Sequence, residues 1–343
     1  MRYKLDYKFW LGIGVSLFFM ALLLRKIDFG AMKTALFSAD YRFIVLAVCF
    51  TFVNYFLRAV RWRYLLIQEK TIRLSSLYSA TVIGYMANNL LPARLGEFIR
   101  AYTLAKREQL EAATVFASLV IDRLCDGFTV LVILVFTLFT ITLPPGMEEA
   151  AGALKTGGVV TFLLYCSIML FLFFLKKQTN RTLTAVSFVL KPFGQHRAEK
   201  LIQHLEAFIG GIRLSMRGSH LAALLLSSGG IWLFCVLPVD MTLRAFNIHL
   251  PMTASLFILI LLVFAVMVPA SPGFIGTYHY ACYKGLSVFG VPETTSVSIA
   301  LIIHGISFFP VIVVGLYYLW RNKLSLNGLN NNADTTLANK MQA

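Results

Sequence analysis

The sequence predicts an all-α polytopic membrane protein, with about six full spans plus two re-entrant hairpins set out as an inverted-topology repeat. Three observations predict it. The 343-residue chain is 58% hydrophobic and only 14% charged, with a mean hydropathy of +0.74, whereas a soluble chain carries about 25% charged residues. Its apolar residues fall in continuous runs at 9–24, 43–60, 74–91, 112–143, 157–175, 221–239, 251–268 and 294–320. Several approach or exceed the roughly 20 residues that cross a bilayer core of about 30 Å. Finally, its basic residues are bunched in a few polar loops, and the alternating pattern of a β-barrel is absent.

The first run follows Arg2, Lys4 and Lys8 and leads into "LRKIDF" without a small-residue cleavage motif. It therefore reads as a retained helix, not a signal peptide. The loop 25–42 holds four basic and two acidic residues and gives no orientation by itself. The loop 58–73 carries Arg58, Arg61, Arg63, Lys70 and Arg73, and 176–217 carries eight basic residues. By the positive-inside rule both belong to the cytoplasm, while 143–156 and 244–250, with one basic residue each, belong outside. The expected setting is a bacterial inner (cytoplasmic) membrane with both termini cytoplasmic.

Counting crossings then forces a fold-back. Between a cytoplasmic 58–73 and an external 143–156 the number of spans is odd, yet two apolar runs lie there. The run 74–91 is the one followed by a polar return, "PARLGEFIRAYTLAKRE", too charged to span, so 74–108 is expected to be a hairpin. In the second half, 251–268 followed by "PASPGFIGTYHYACYKGLSVFG" raises the same choice. Two short spans satisfy parity there too, but the Pro-Ala-Ser-Pro-Gly turn favours a hairpin over 251–290. Residues 1–150 and 151–325 thus each read as span, span, hairpin, span, beginning on opposite sides. The breakers agree: Pro92 precedes Asp122 by 30 residues and Pro272 precedes His304 by 32. Opposed copies with paired broken segments are the sequence mark of an inverted-repeat transporter. The segment 178–217 reads as a basic amphipathic helix on the inner leaflet, with Leu201, Ile202, Leu205, Phe208, Ile209 and Ile212 at helical spacing. The tail 326–343 reads as disordered.

The residues that could carry chemistry cluster at these breaks. Arg94, Glu97 and Arg100, three apart, make one charged stripe with internal ion pairing on a helix. Such a stripe suits a lipid headgroup, because the arginine fork offers two parallel hydrogen bonds to a phosphate or carboxylate. The alternative is an interfacial helix snorkelling its charges into water; Pro92 and Gly96 favour the site. In "IDRLCDGF", Asp122 and Asp126 share a face while Arg123 points elsewhere, and an aspartate pairing with Arg94 or Arg100 is the specific expectation. In the second hairpin Pro272, Gly273 and Gly276 can leave backbone N–H groups free for an anion. His279 and His304 read either as packing residues or as proton relays. Asn54 and Arg58, at the end of the second span, read as snorkelling.

Cys49, Cys125, Cys166, Cys235 and Cys282 lack metal or disulfide spacings and read as buried small hydrophobes. The six histidines form no HExxH pattern, so no metal or cofactor is expected. The net charge of +15 is assigned to topology, not to nucleic acid. Expected partners are a membrane lipid as substrate, anionic headgroups at the basic cytoplasmic loops, and a second copy of the chain in a homo-oligomer.

"GYMANNLLPARLGEFIRAYTL" (84–104), "ASLVIDRLCDGF" (117–128) and "PASPGFIGTYHYA" (269–281) together resemble the lysylphosphatidylglycerol synthase transmembrane-region family, the flippase-like integral membrane proteins. The resemblance covers most of the chain, and its LPxRxGExxR motif places Pro92, Arg94, Gly96, Glu97 and Arg100 in register. It implies movement of a polar-headgroup lipid between leaflets. Full-length synthases add a soluble aminoacyl-transfer domain, but only 23 residues follow Trp320, so lysyl transfer is not expected. Many relatives carry Glu where this chain has His279, so no role is carried over for that position. The rival reading is a membrane-embedded lipid-modifying enzyme or an accessory subunit for a glycosyltransferase.

Overall fold

The computed structural model describes residues 14, 18–19, 28–66, 71–91, 95–141, 148–177, 218–268 and 272–322. Among them the chain forms ten α-helices and one short 3-10 turn, with no strand. The first apolar run is mostly outside these residues, as are Pro92, Arg94, the amphipathic segment 178–217 and the tail 326–343.

Short polar caps start the first two helices. Asp28 accepts from the backbone N–H groups of Gly30 and Ala31 at 2.8 and 3.1 Å and opens α1 (Phe29–Ser38). The expected loop 25–42 therefore contains a helix. Asp40 likewise caps α2 (Tyr41–Leu65) through Arg42 N at 2.9 Å. Next come α3 (Leu74–Leu90), α4 (Gly96–Glu108) and α5 (Ala112–Thr140). Gln109, in the left-handed region at φ 52°, ends α4 and turns the chain into α5. Helix α6 (Glu148–Lys177) starts nine residues before the apolar run expected at 157, because "EEAAGAL" is strongly helix-forming and acidic at its N-terminus. The second half continues with α7 (Gly218–Ala245), α8 (Met252–Met267), the turn Pro272–Phe274, α9 (Thr277–Ser287) and α10 (Glu293–Arg321).

Three of these, α2, α7 and α10, are long and apolar enough to cross a membrane. Helices α5 and α6 match them in length, with 29 and 30 residues. The four helices at the breaks are shorter. Those of 17, 13, 16 and 11 residues (α3, α4, α8 and α9) reach about 26, 20, 24 and 17 Å at 1.5 Å per residue.

Packing pairs the two halves. Helices α2 and α7 run antiparallel along their whole length. Asp40 N donates to Ala245 O at one end, Phe50 meets Phe234 further along, and Tyr64 meets His220 at the other. Helix α3 turns back onto α4 with almost no space between backbones: a Cβ on Gly84 would lie 2.9 Å from Gly96 O and 2.7 Å from the Arg100 Cβ. Asn88 Oδ1 accepts from Gly96 N at 2.9 Å and closes the fold-back. Helices α8 and α9 pack in the same way, with Gly285 against Leu261 and Ile258. Each folded-back pair then leans on the last long helix of the other half. Met86 of α3 fills the notch at Gly315 of α10, while Leu259 and Val263 of α8 pack with Val130 and Ile133 of α5.

The cysteines correct one expectation. Cys282 is buried, but Cys49 is exposed and Cys235 accepts a hydrogen bond from Asn54 Nδ2 at 3.1 Å. They are not uniformly buried small hydrophobes.

Candidate functional site

The charged residues of the first half meet where α2, α4 and α5 pack. On α5, Asp122 and Asp126 share a face as their spacing requires, and both are buried. Arg61 of α2, with no exposed surface, bridges them: its Nε donates to Asp122 Oδ1 at 2.8 Å and its Nη2 to Asp126 Oδ1 at 2.7 Å. Its remaining nitrogen, Nη1, donates to Ser228 Oγ on α7 at 3.0 Å. Arg58, one turn earlier, donates from Nη1 to Asp126 Oδ2 at 2.8 Å and from Nε to Asn54 Oδ1 at 3.0 Å. Asn54 is held in turn by Ile231 O at 2.6 Å. Asn54 and Arg58 therefore do not snorkel to water. They and Arg61 line the floor of the network, a role that run-end arginines conceal in sequence.

Helix α4 brings the other partners. Arg100, 1% exposed, donates from Nη1 to Asp122 Oδ2 at 3.0 Å. This is the aspartate–arginine pairing expected from the sequence. Glu97 pairs with Arg123, and Arg123 also reaches Asp126 Oδ2 at 3.2 Å and Tyr85 OH at 3.2 Å. Two expectations change here. Glu97 and Arg100 pair across to α5 and not with each other, because α5 lies against the stripe they form. Arg123, expected to point elsewhere, folds back over one turn to share Asp126. Among the described residues four guanidinium groups thus meet three carboxylates, an excess of one positive charge.

Arg100 is unusual within this group. Its plane lies over the Trp62 ring, 4.1 Å from the centroid. Trp62 is itself pinned, its Nε1 donating to Ser118 Oγ at 2.8 Å. The edge of Arg100 formed by Nε and Nη2 is buried and has no hydrogen-bond partner among the described residues. That edge is the side-on fork that matches two oxygens of a carboxylate or phosphate. Leaving charged donors buried and unpaired is expensive, so the edge is set to receive an acceptor. Glu97 Oε2 in the same network is buried and has no partner among the described residues.

The second half gathers its residues around the turn. Gly273 and Gly276 have φ of +75° and +94°, and Phe274 between them +56°. The glycines supply the left-handed backbone cheaply, while Phe274 does not. His304 Nε2 donates to Gly273 O at 2.8 Å across from α10. His279, at the third position of α9, accepts from Gly276 N at 3.3 Å through Nδ1, so this N–H is not free for an anion as the sequence suggested. The two imidazoles lie edge to face with centroids 4.7 Å apart. Pro272 opens the turn, which packs on α3. Among the described residues no ion pair or side-chain hydrogen bond joins this cluster to the charge network. Arg94 lies outside the described residues.

The family profile described as "Lysylphosphatidylglycerol synthase TM region" matches residues 9–315. A UPF0104 membrane protein of Methanothermobacter thermautotrophicus is 24% identical over 317 residues, covering 89% of this chain and 92% of the relative. A second UPF0104 membrane protein, from Methanocaldococcus jannaschii, is 19% identical over 312 residues, covering 88% and 91%. The protein named glycosyltransferase AglD, from Haloferax volcanii, is 28% identical over 148 residues, which is 43% of this chain and 24% of that protein. All three relatives are archaeal, so they do not speak for the bacterial membrane expected from sequence. No solved structure matches. With the family profile matching nearly its whole length and its apolar helices long enough to span, this chain is an integral membrane protein belonging to the lysylphosphatidylglycerol synthase transmembrane-region family.

Proposed function

We propose that the protein is a lipid translocase, moving a polar-headgroup lipid such as a phospholipid, aminoacylated lipid or glycolipid between leaflets. The observation that carries this reading is the buried Nε–Nη2 edge of Arg100, unpartnered among the described residues, in a network whose described members carry one positive charge in excess. An anionic headgroup oxygen pair fits both the geometry and the charge. Arg94, Glu97, Arg100, Asp122, Arg123 and Asp126 form the headgroup side, and the Pro272–Gly276 turn with His279 and His304 forms the opposing side.

The same reading makes α3–α4 and α8–α9 re-entrant hairpins, since none of the four helices reaches about 30 Å alone. It makes 1–150 and 151–325 inverted repeats with cytoplasmic termini in a cytoplasmic membrane. The reciprocal packing of each hairpin on the other half's last helix supports that symmetry. Non-helical backbone at membrane depth is tolerated where protein or a wet cavity surrounds it, and the turn Pro272–Phe274, packed on α3, fits this condition.

The test is purified protein in liposomes, following leaflet exchange of headgroup-labelled phospholipids, aminoacylated lipids and glycolipids. Wild type should accelerate exchange of one class, and Arg100→Lys should abolish most of that gain. Exchange equal to protein-free liposomes for every class would sink the translocase. A second reading, an accessory subunit in a glycosyltransferase pathway, is favoured by the match to AglD. It requires no exchange at all, and instead loss of glycolipid product when the gene is deleted.

A further inference from the structure

We infer that His304 and His279 form a one-proton binding centre that clamps the turn of the second hairpin, with the proton on His304 and His279 kept neutral. The centre is distinct from the charge network and rests on the translocase reading only for what the proton serves.

The hydrogen bonds fix the tautomers. A carbonyl oxygen only accepts, so His304 Nε2 carries a hydrogen in its 2.8 Å bond to Gly273 O. A backbone amide only donates, so His279 Nδ1 is a bare lone pair facing Gly276 N. Neutral His279 therefore keeps its hydrogen on Nε2, which is buried and has no acceptor among the described residues. A second proton could enter His279 only at Nδ1. There it would oppose the Gly276 N–H, break the cap of α9, and place a cation at the positive end of the helix dipole.

His304 meets no such conflict. Among the described residues its Nδ1 makes no hydrogen bond, and a proton there leaves the bond to Gly273 O in place and makes it charge-assisted. With the rings 4.7 Å apart in apolar surroundings, two imidazolium charges would repel strongly. The pair holds one proton, not two.

The surrounding groups leave this balance to the two rings. On α9 the titratable neighbours are Tyr278, Tyr280, Cys282, Tyr283 and Lys284, and Lys284 sits over the rings of Tyr280 and Tyr283. Helix α10 carries Glu293 at its start and Tyr317, Tyr318 and Arg321 near its end. Helix α8 and the turn carry no ionisable group, α3 carries only Tyr78 and Tyr85, α1 carries Lys33, and α2 and α7 bring Tyr55 and Cys235 near Tyr278. Asp240 of α7 is already held by Arg244 at 2.7 Å and by Ser255 at 3.3 Å.

The clamp acts on strained backbone. Gly273, Phe274 and Gly276 all have positive φ, and Phe308 of α10 closes the space over Gly273, 2.9 Å from where a Cβ would stand. Proton uptake by His304 tightens the bond that holds this turn to α10, and proton release loosens it.

The test uses the full chain in nanodiscs with 15N-labelled histidine, followed by NMR from about pH 5 to 8. His304→Gln and His279→Gln assign the signals, and Gln preserves an uncharged donor at 304 and an uncharged cap acceptor at 279. The His304 ring nitrogens should pass through a single titration step while His279 remains in its Nε2–H form. Exchange of the 273–276 amides, corrected for its intrinsic pH dependence, should slow several-fold on acidification in wild type and not in His304→Gln. A silent His304, a titrating His279, or two charged rings would each overturn the proposal. Neither measurement involves transport, so its failure is separate from a failed leaflet-exchange assay.

Discussion

In the first half, the return helix α4 is fastened to the next long helix by charge, Arg100 to Asp122 and Glu97 to Arg123. In the second half, α9 packs on α10 through an apolar core, and its polar contacts among the described residues include two imidazoles and a single carbonyl of a left-handed turn. The first junction is over-determined: Asp126 alone receives three arginines, and Arg61 ties two aspartates to α7. The second depends on few bonds and on backbone that only its glycines adopt without cost. On the proposed reading, the difference separates a rigid wall for a headgroup from a joint whose geometry one proton changes.

The most direct way to break this contrast is to remove a charge from the rigid side. Asp126→Ala leaves Arg58 buried without its carboxylate partner and Arg61 with Asp122 alone, and should destabilise the protein by about 3–5 kcal/mol, read as a lowered midpoint of thermal unfolding in detergent. A loss no larger than at His279 would erase the distinction between the two junctions. Arg100→Lys keeps the charge but loses the free fork. A charge-assisted hydrogen bond contributes about 1.5–3 kcal/mol, so leaflet exchange should fall at least about tenfold while the unfolding midpoint barely moves. Gly84→Ala tests the close approach of α3 and α4. Its Cβ would meet Arg100 and Gly96, and such overpacking should cost about 1–3 kcal/mol with a matching loss of exchange. On the second side, His279→Ala removes the acceptor for Gly276 N–H and should cost about 1 kcal/mol, the value of a helix cap. His279→Gln should stay within about 0.5 kcal/mol of wild type. If Ala and Gln behaved alike, the cap would carry no weight.

Hydropathy made the long helices legible, because each apolar run from 43 onward corresponds to one helix whose ends shift by a few residues, α6 excepted. The Arg100–Asp122 pair was legible too, since unneutralised charges at two neighbouring breaks had to find each other. Arg58 and Arg61 were not. At the end of an apolar run an arginine has water within reach of its long side chain, and only the packing of α5 and α7 against α2 removes that option. A signal was present in their spacing: two arginines three apart in one span match two aspartates four apart in another, each pair on one helix face. Tautomers and positive φ at the second turn lay beyond the sequence, because they follow from hydrogen-bond partners set by tertiary contact.

Trp62 adds a practical consequence. Its indole forms one wall of the Arg100 site and cannot rotate away, being tied to Ser118. Any anion that settles on the arginine's open edge alters the electric field across that ring. On the proposed reading, light emitted by Trp62 would report occupancy from inside the protein, with no label attached to the lipid, and a chain whose other tryptophans are replaced by phenylalanine would become its own sensor of cargo arrival.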